Sequence, residues 1–148
     1  EPVNYALASN GAKATCSDWA QYMDQLAKPE NVINGDDMGM HWASSRLPAW
    51  VMVELAELTP ISRVEVVAFY HTHTLDVDVS PDGSNWQTVL SNFTTADLAP
   101  EGVPESNETV RAEFERMPVK FVRVTVNAAD APPAYLFKTM VREVKAFR

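Results

Sequence analysis

The sequence is short of several things, and each shortage removes a class of protein. Cys16 is its one cysteine, so no disulfide can close within the chain and no four-cysteine zinc site can form. No apolar run approaches the roughly 18 residues that a membrane-spanning helix requires, which argues against membrane insertion. Lys and Arg total 12 against 20 Asp and Glu, a formal net charge of −8 with no basic block. Nucleic acid and anionic lipid both reward clustered cations, so neither is an expected partner. The 5 glycines build neither a phosphate-cradling loop nor a Gly-x-Ser-x-Gly elbow. Crossover helices are missing too, because the gaps between strand-like runs are too short to hold them.

What is present is one domain's worth of alternation. The 148 residues are 46% hydrophobic and 22% charged, enough to bury a core without staples. Val51, Val53 and Leu55 fall on one face of an extended run that starts at Trp50. Arg63 to Phe69, Leu75 to Ser80, Phe121 to Val126 and Arg142 to Phe147 repeat the two-residue period. Val-rich runs of this kind are strands with one buried face. Ser80-Pro81-Asp82-Gly83-Ser84 marks a turn, followed by a short strand from Trp86 to Leu90. The pattern predicts an all-β sandwich or barrel.

One helix is expected near the start. Ser17 or Asp18 would cap it, with Trp19, Tyr22, Met23 and Leu26 forming a stripe that favours core packing. The segment from Asn92 to Glu108, with Pro100, Gly102 and Pro104, reads as a surface loop. Cys16 has no identifiable His partner and is expected to pack inside. His71-x-His73 would place two imidazoles on one side of an extended segment, but no third ligand is evident. Asp76 and Asp78 read as the solvent face of a strand. No arrangement of residues calls for catalysis, and an enzyme is not expected.

The order of motifs resembles the discoidin, or coagulation factor 5/8 type C, superfamily, and within it the family 32 carbohydrate-binding modules of bacterial glycan-degrading enzymes. The residues carrying the likeness are Asn4 to Ala8, Pro29 to Asp36 with Trp42-Ala43-Ser44, and Pro48 to Leu55. Ile61 to Val64, Val79 to Trp86, Phe121 to Val126 and Val141 to Phe147 continue it. The resemblance implies an eight-stranded antiparallel jelly roll of the galactose-binding-domain type, spanning 1–148 as a single module. It implies a non-catalytic glycan binder, in a secreted or cell-surface bacterial protein, covalently linked to a catalytic domain that it targets. That Glu1 stands where a start Met would fits a removed leader or a piece of a longer protein. The rival expectation is a protein-interaction module using the same loops.

The resemblance also implies site residues. A structural calcium would take the carbonyls of Asn31, Met40 and Arg142 with the side chains of Asn34, Asp36 and Glu143, an oxygen set of the kind calcium prefers. Asn34 stands where the family usually has Asp, and Asp37 is a further acidic neighbour. The alternative is an unmetallated loop in which Glu143 pairs with an Arg. Sugar contact would come from loops at one end of the sandwich, through Tyr70, His71, His73, Tyr135, Arg46, Ser44 and Tyr22. The Arg and Asn of galactose-type relatives are missing from the Tyr70–Thr74 loop. Trp42, Trp50 and Trp86 align with the family's structural tryptophans and are expected in the core.

Overall fold

The computed structural model describes residues 2–98 and 107–148. Its strands are β1 (Lys13–Cys16), β2 (Gln21–Tyr22), β3 (Gln25–Leu26), β4 (Ala49–Ala68), β5 (His73–Ser80), β6 (Gln87–Thr94), β7 (Glu108–Ala129) and β8 (Val141–Phe147). Short 3-10 turns occupy Ala8–Asn10, Pro29–Ile33 and Thr95–Leu98.

Two long antiparallel strands build the sandwich. The first half of β4 pairs with β1 on one side and with the end of β7 on the other, Ala49 facing Val126 and Glu54 facing Phe121. That part of β7 also pairs with β5, which in turn pairs with β6. Register breaks between Glu54 and Thr59 and again between Ile61 and Arg63, where β4 and β7 turn together. Beyond the break, β4 lies between β8 and the first half of β7. Leaving aside the separate β2–β3 hairpin and counting each half of β4 and β7 as a strand gives the eight of the expected antiparallel jelly-roll sandwich. Trp50–Leu55 and Arg63–Phe69, read from sequence as separate strands, prove to be one bent element.

The inward faces follow the alternation. Val51, Val53, Leu55, Leu75, Val77, Val79, Val122, Val124 and Val126 are essentially inaccessible to solvent on one side. Ile61, Val64, Val66, Val110, Val144 and Ala146 meet them from the other. Burying each such side chain stabilises the fold by about 1.5–3 kcal/mol before entropy is counted. Trp42 plugs one end of this core, and its indole N–H donates to the Asp18 carbonyl at 3.1 Å.

Several expectations are corrected. Residues 17–26 do not form a helix: β2 and β3 make a hairpin, with Gln21 opposite Leu26 and Met23 at φ 55° in its tip. The supposed stripe is outside, Tyr22 56% and Met23 77% exposed. A competing backbone ladder explains this. The Ala20 N–H donates to Ala43, Ala43 to Ala27, and Ala27 to Ala20, so the hairpin's base is tied to the chain beyond Trp42. Of the three tryptophans expected inside, only Trp42 is fully buried; Trp50 and Trp86 are half-buried. The Arg123 guanidinium lies 3.9 Å from the Trp86 ring. Asp78 is not a solvent-facing residue either, because Arg123 and the Thr88 hydroxyl cover it. Cys16 is half-buried against the core. The expected Asn92 loop is shortened, since β6 runs to Thr94 and β7 starts at Glu108; its part from 99 to 106 lies outside the described residues.

Candidate functional site

β4 ends, β5 begins, β7 ends and β8 begins at one pole of the sandwich, and the segments joining them carry the groove. The β2–β3 hairpin forms a further wall. Between the hairpin and the 132–137 loop lies a depression of about 460 Å³, lined by Tyr22, Gln25, Tyr135 and Leu136 among others. A second, of about 550 Å³, continues it past Met38, Met40, Tyr70 and Arg142. Gln25, Tyr135 and Phe137 line both. Each falls in the ordinary size range of a small-ligand site, roughly 300–1,000 Å³.

Aromatic rings gather where the two depressions meet. The Tyr70 and Tyr135 centroids are 5.6 Å apart, and His71 meets each edge-on at 5.1 Å. Tyr70 holds φ 71°, a left-handed conformation uncommon for so large a residue, and this carries its ring to the surface. His71 and His73 were expected to face ligand; the structure buries them at 3% and 0% exposure, directly beneath. His71 Nε2 lies 2.8 Å from the Phe137 carbonyl, a contact that requires the Nε2–H tautomer. His73 does the reverse: its Nε2 accepts the Met140 N–H at 3.1 Å, so its proton sits on Nδ1. The His73 N–H donates to the Thr95 hydroxyl.

His41 completes this layer, packed edge-on against Phe69 and Phe137. All 3 histidines of the chain therefore gather at the groove, His71 and His73 beneath it and His41 in the lining of the second depression. Burial pushes His73 down to about 4, with His71 adding to the effect against weaker opposition from Asp130 and the His71 backbone. His41 is likewise pushed down to about 4, by burial first and then by Arg142 and His71. Both imidazoles are thus neutral at physiological pH. His71 and His73 pin the 137–140 backbone that follows Tyr135, and His41 packs its ring against Phe69 and Phe137.

Ser44 braces the same backbone. It is fully buried; its hydroxyl donates to the Arg46 carbonyl and its N–H to the Thr139 hydroxyl. The Arg46 side chain is exposed and lies outside the groove lining. Of the residues singled out from sequence, then, Tyr22, Tyr70 and Tyr135 line the groove, while His71, His73 and Ser44 support it from below.

The loop from Asn31 to Met40 meets Glu143 beside the second depression. Glu143 is completely buried, and both its carboxylate oxygens accept the Gly35 N–H, at 3.1 and 3.2 Å. Burial, reinforced by Asp37, raises it to about 7, while the Gly35 and Asp36 N–H groups and Lys145 oppose the shift. Lys145 donates to Asp37 at 2.9 Å. Asn34 accepts the Asp36 N–H, and Asp36 accepts the Met38 N–H. Asn31 donates to the Leu26 and His41 carbonyls, and Met40 is half-buried. Arg142 donates to Asn107 at 2.6 Å and lies 3.7 Å over the Phe69 ring. Among the described residues no three His, Cys, Asp or Glu side chains converge as metal ligands. A cation here would draw on Asn34 and backbone carbonyls as well as Glu143 and Asp36. That oxygen set fits a hard cation, and a buried carboxylate disfavoured in its charged form is chemically suited to one.

The model of the F5/8 type C domain family matches residues 12–137. The chain belongs to that family. No curated protein matches it in sequence. Among solved structures, this F5/8 type C domain resembles the family 32 carbohydrate-binding module of AlyQ, in complex with 4,5-unsaturated mannuronic acid. The TM-score is 0.72 at 16% identity, over 99% of this chain and 98% of that one. It also resembles chitosan-binding module 2 of a chitosanase/glucanase from Paenibacillus sp. IK-5, in complex with chitotriose. There the TM-score is 0.70 at 20% identity, over 98% and 100% of the two chains. A third, a family 32 module from Clostridium perfringens bound to GlcNAc-α-1,4-galactose, gives 0.73 at 16% identity, over 100% and 95%. At these identities the likeness is one of fold.

What sequence reasoning missed in this F5/8 type C domain is the hairpin wall. Gln25, Met38 and Leu136 line the groove without carrying any motif. Asp24 at the hairpin tip is a turn-favouring residue, and the apparent helical stripe masks it. Chemically, the groove offers flat aromatic faces, one neutral amide, apolar sulfur-containing walls and, in the second depression, the His41 imidazole and Arg142 guanidinium.

Proposed function

We propose that the chain is a non-catalytic carbohydrate-binding module, gripping a glycan in the groove between the β2–β3 hairpin and the 132–137 loop. The observation that carries this is the placement of exposed Tyr22 and Tyr70 and half-buried Tyr135 around Gln25 at one pole of a rigid sandwich. A sugar ring offers a C–H face for stacking and hydroxyls for an amide, and loops over a stable scaffold are where such sites sit. The fold neighbours, several of them sugar-bound, support the same reading. In an exported protein the module would act by proximity, holding an attached enzyme near its polymer.

A structural calcium at Asn34, Asp36 and Glu143, with the carbonyls of Asn31, Met40 and Arg142, belongs to this proposal. It would stiffen the loop that supplies Met38 and Met40 to the groove. A second reading, a protein-interaction module, is favoured by the exposed Tyr22, Met23 and Leu26 of the hairpin and by Trp19 just before it.

The test is a glycan array with calcium present, then calorimetry on Tyr135→Ala. Sugar binding that falls at least tenfold in the variant, with the fold intact by circular dichroism, is the expected result. Failure to bind any glycan sinks the reading in favour of the protein partner.

A further inference from the structure

The groove is longer than one sugar and, among the described residues, carries no anionic lining. The depressions of about 460 and 550 Å³ are not separate holes, since Gln25, Tyr135 and Phe137 belong to both. Tyr22 stands in the first alone, and Tyr70 in the second alone. Tyr135 is therefore a shared centre with an aromatic ring on either side. Each depression by itself matches a small-ligand site, so a single monosaccharide would leave one of them open to water.

Charge narrows the ligand further. Among the described residues neither depression is lined by an Asp or Glu, so an amino sugar's ammonium would find no partner there. Arg142 is the cation of the lining, and its guanidinium already serves the Asn107 oxygen and the Phe69 ring. The net charge of −8 repels polyanions at a distance. Gln25, able both to donate and to accept, sits where the depressions join and suits uncharged hydroxyls.

Resting on the glycan-binding reading, we propose that this groove has two adjoining subsites, joined at Tyr135 and Gln25, and takes an uncharged oligosaccharide of at least two units rather than a single terminal sugar. Tyr22 makes the first subsite and Tyr70 the second. Affinity then rises with chain length until both are filled, because the second unit binds without a second loss of translational freedom.

The experiment is calorimetry, with calcium present, on neutral galactan, xylan and mannan oligomers of one to four units. Size-matched oligogalacturonate and chitosan oligomers supply the anionic and cationic arms. The expected result is a rise of about tenfold or more between one and three units of a neutral series. Tyr22→Ala and Tyr70→Asn, the latter tolerant of the left-handed backbone, should each flatten that rise, whereas Tyr135→Ala weakens every length. Equal affinity for monosaccharide and tetrasaccharide overturns the two-subsite proposal but leaves glycan binding standing. Tighter binding of either charged series overturns the assignment to uncharged chains. No binding of any oligomer overturns the glycan reading itself.

Discussion

Replacing His73 by Gln should abolish much of the domain's acid sensitivity. In the folded state His73 is wholly buried and its Nε2 accepts the Met140 N–H, so protonation would set a donor against a donor in a dry site. Its folded value is pushed down to about 4 from an ordinary 6.5. An unfolded chain takes up this proton near 6.5 and the folded chain refuses it. Stability is therefore fully present above about pH 6.5 and is lost as pH falls towards 4. The gap is roughly two and a half pH units, worth about 3 kcal/mol at about 1.4 kcal/mol per unit. Gln keeps an acceptor oxygen and cannot titrate. Urea denaturation at steps from pH 7.5 to 4 should show the variant less stable at neutrality. The difference should shrink by about 3 kcal/mol on acidification. His41 shifts in the same direction, so the variant retains part of the acid limb. A difference constant across the range, or an NMR titration placing folded His73 above pH 6, refutes the argument.

Glu143 works with the opposite sign. Raised to about 7, it favours the neutral form when folded, so without calcium its contribution is intact below about 4.5 and lost as pH rises through 7. Calcium should therefore raise Tm more at pH 8 than at pH 5, EDTA should reverse the gain, and Glu143→Gln should remove it. Identical melting curves with and without EDTA at pH 8 would remove the metal from the account. In the core, Leu75→Ala should cost about 2–5 kcal/mol in chemical denaturation; a loss under 1 kcal/mol would mean that the site collapses around the gap. Trp42→Phe should cost about 1–3 kcal/mol, because it strands the Asp18 carbonyl that the indole N–H satisfies.

Strand faces were legible because period-two alternation needs no partner to be recognised. Val51, Val53, Val77, Val79, Val122 and Val124 are buried where the pattern places them. Less legible was anything decided by long-range backbone bonding. Trp19, Tyr22, Met23 and Leu26 satisfy a helical period, yet the ladder joining Ala20, Ala27 and Ala43 draws the segment into a hairpin, and no local signal announces that ladder. The histidines fail for a related reason. His71 and His73 look like polar residues on an exposed loop, but a segment more than 60 residues onward, at Phe137 and Met140, folds over them and uses their nitrogens. Tyr70 and Tyr135 were legible because the family resemblance places ligand-contacting loops at their positions, and both do line the groove.

The bend shared by β4 and β7 has a mechanical consequence. Each strand runs through both layers, and the pair stays hydrogen-bonded from Ala49–Val126 to Ala68–Glu108 apart from the breaks at the fold. The two layers are one ribbon doubled over, so they cannot be peeled apart one rung at a time. Tension along either strand loads many rungs in shear at once, the direction in which a ladder of individually weak bonds resists best.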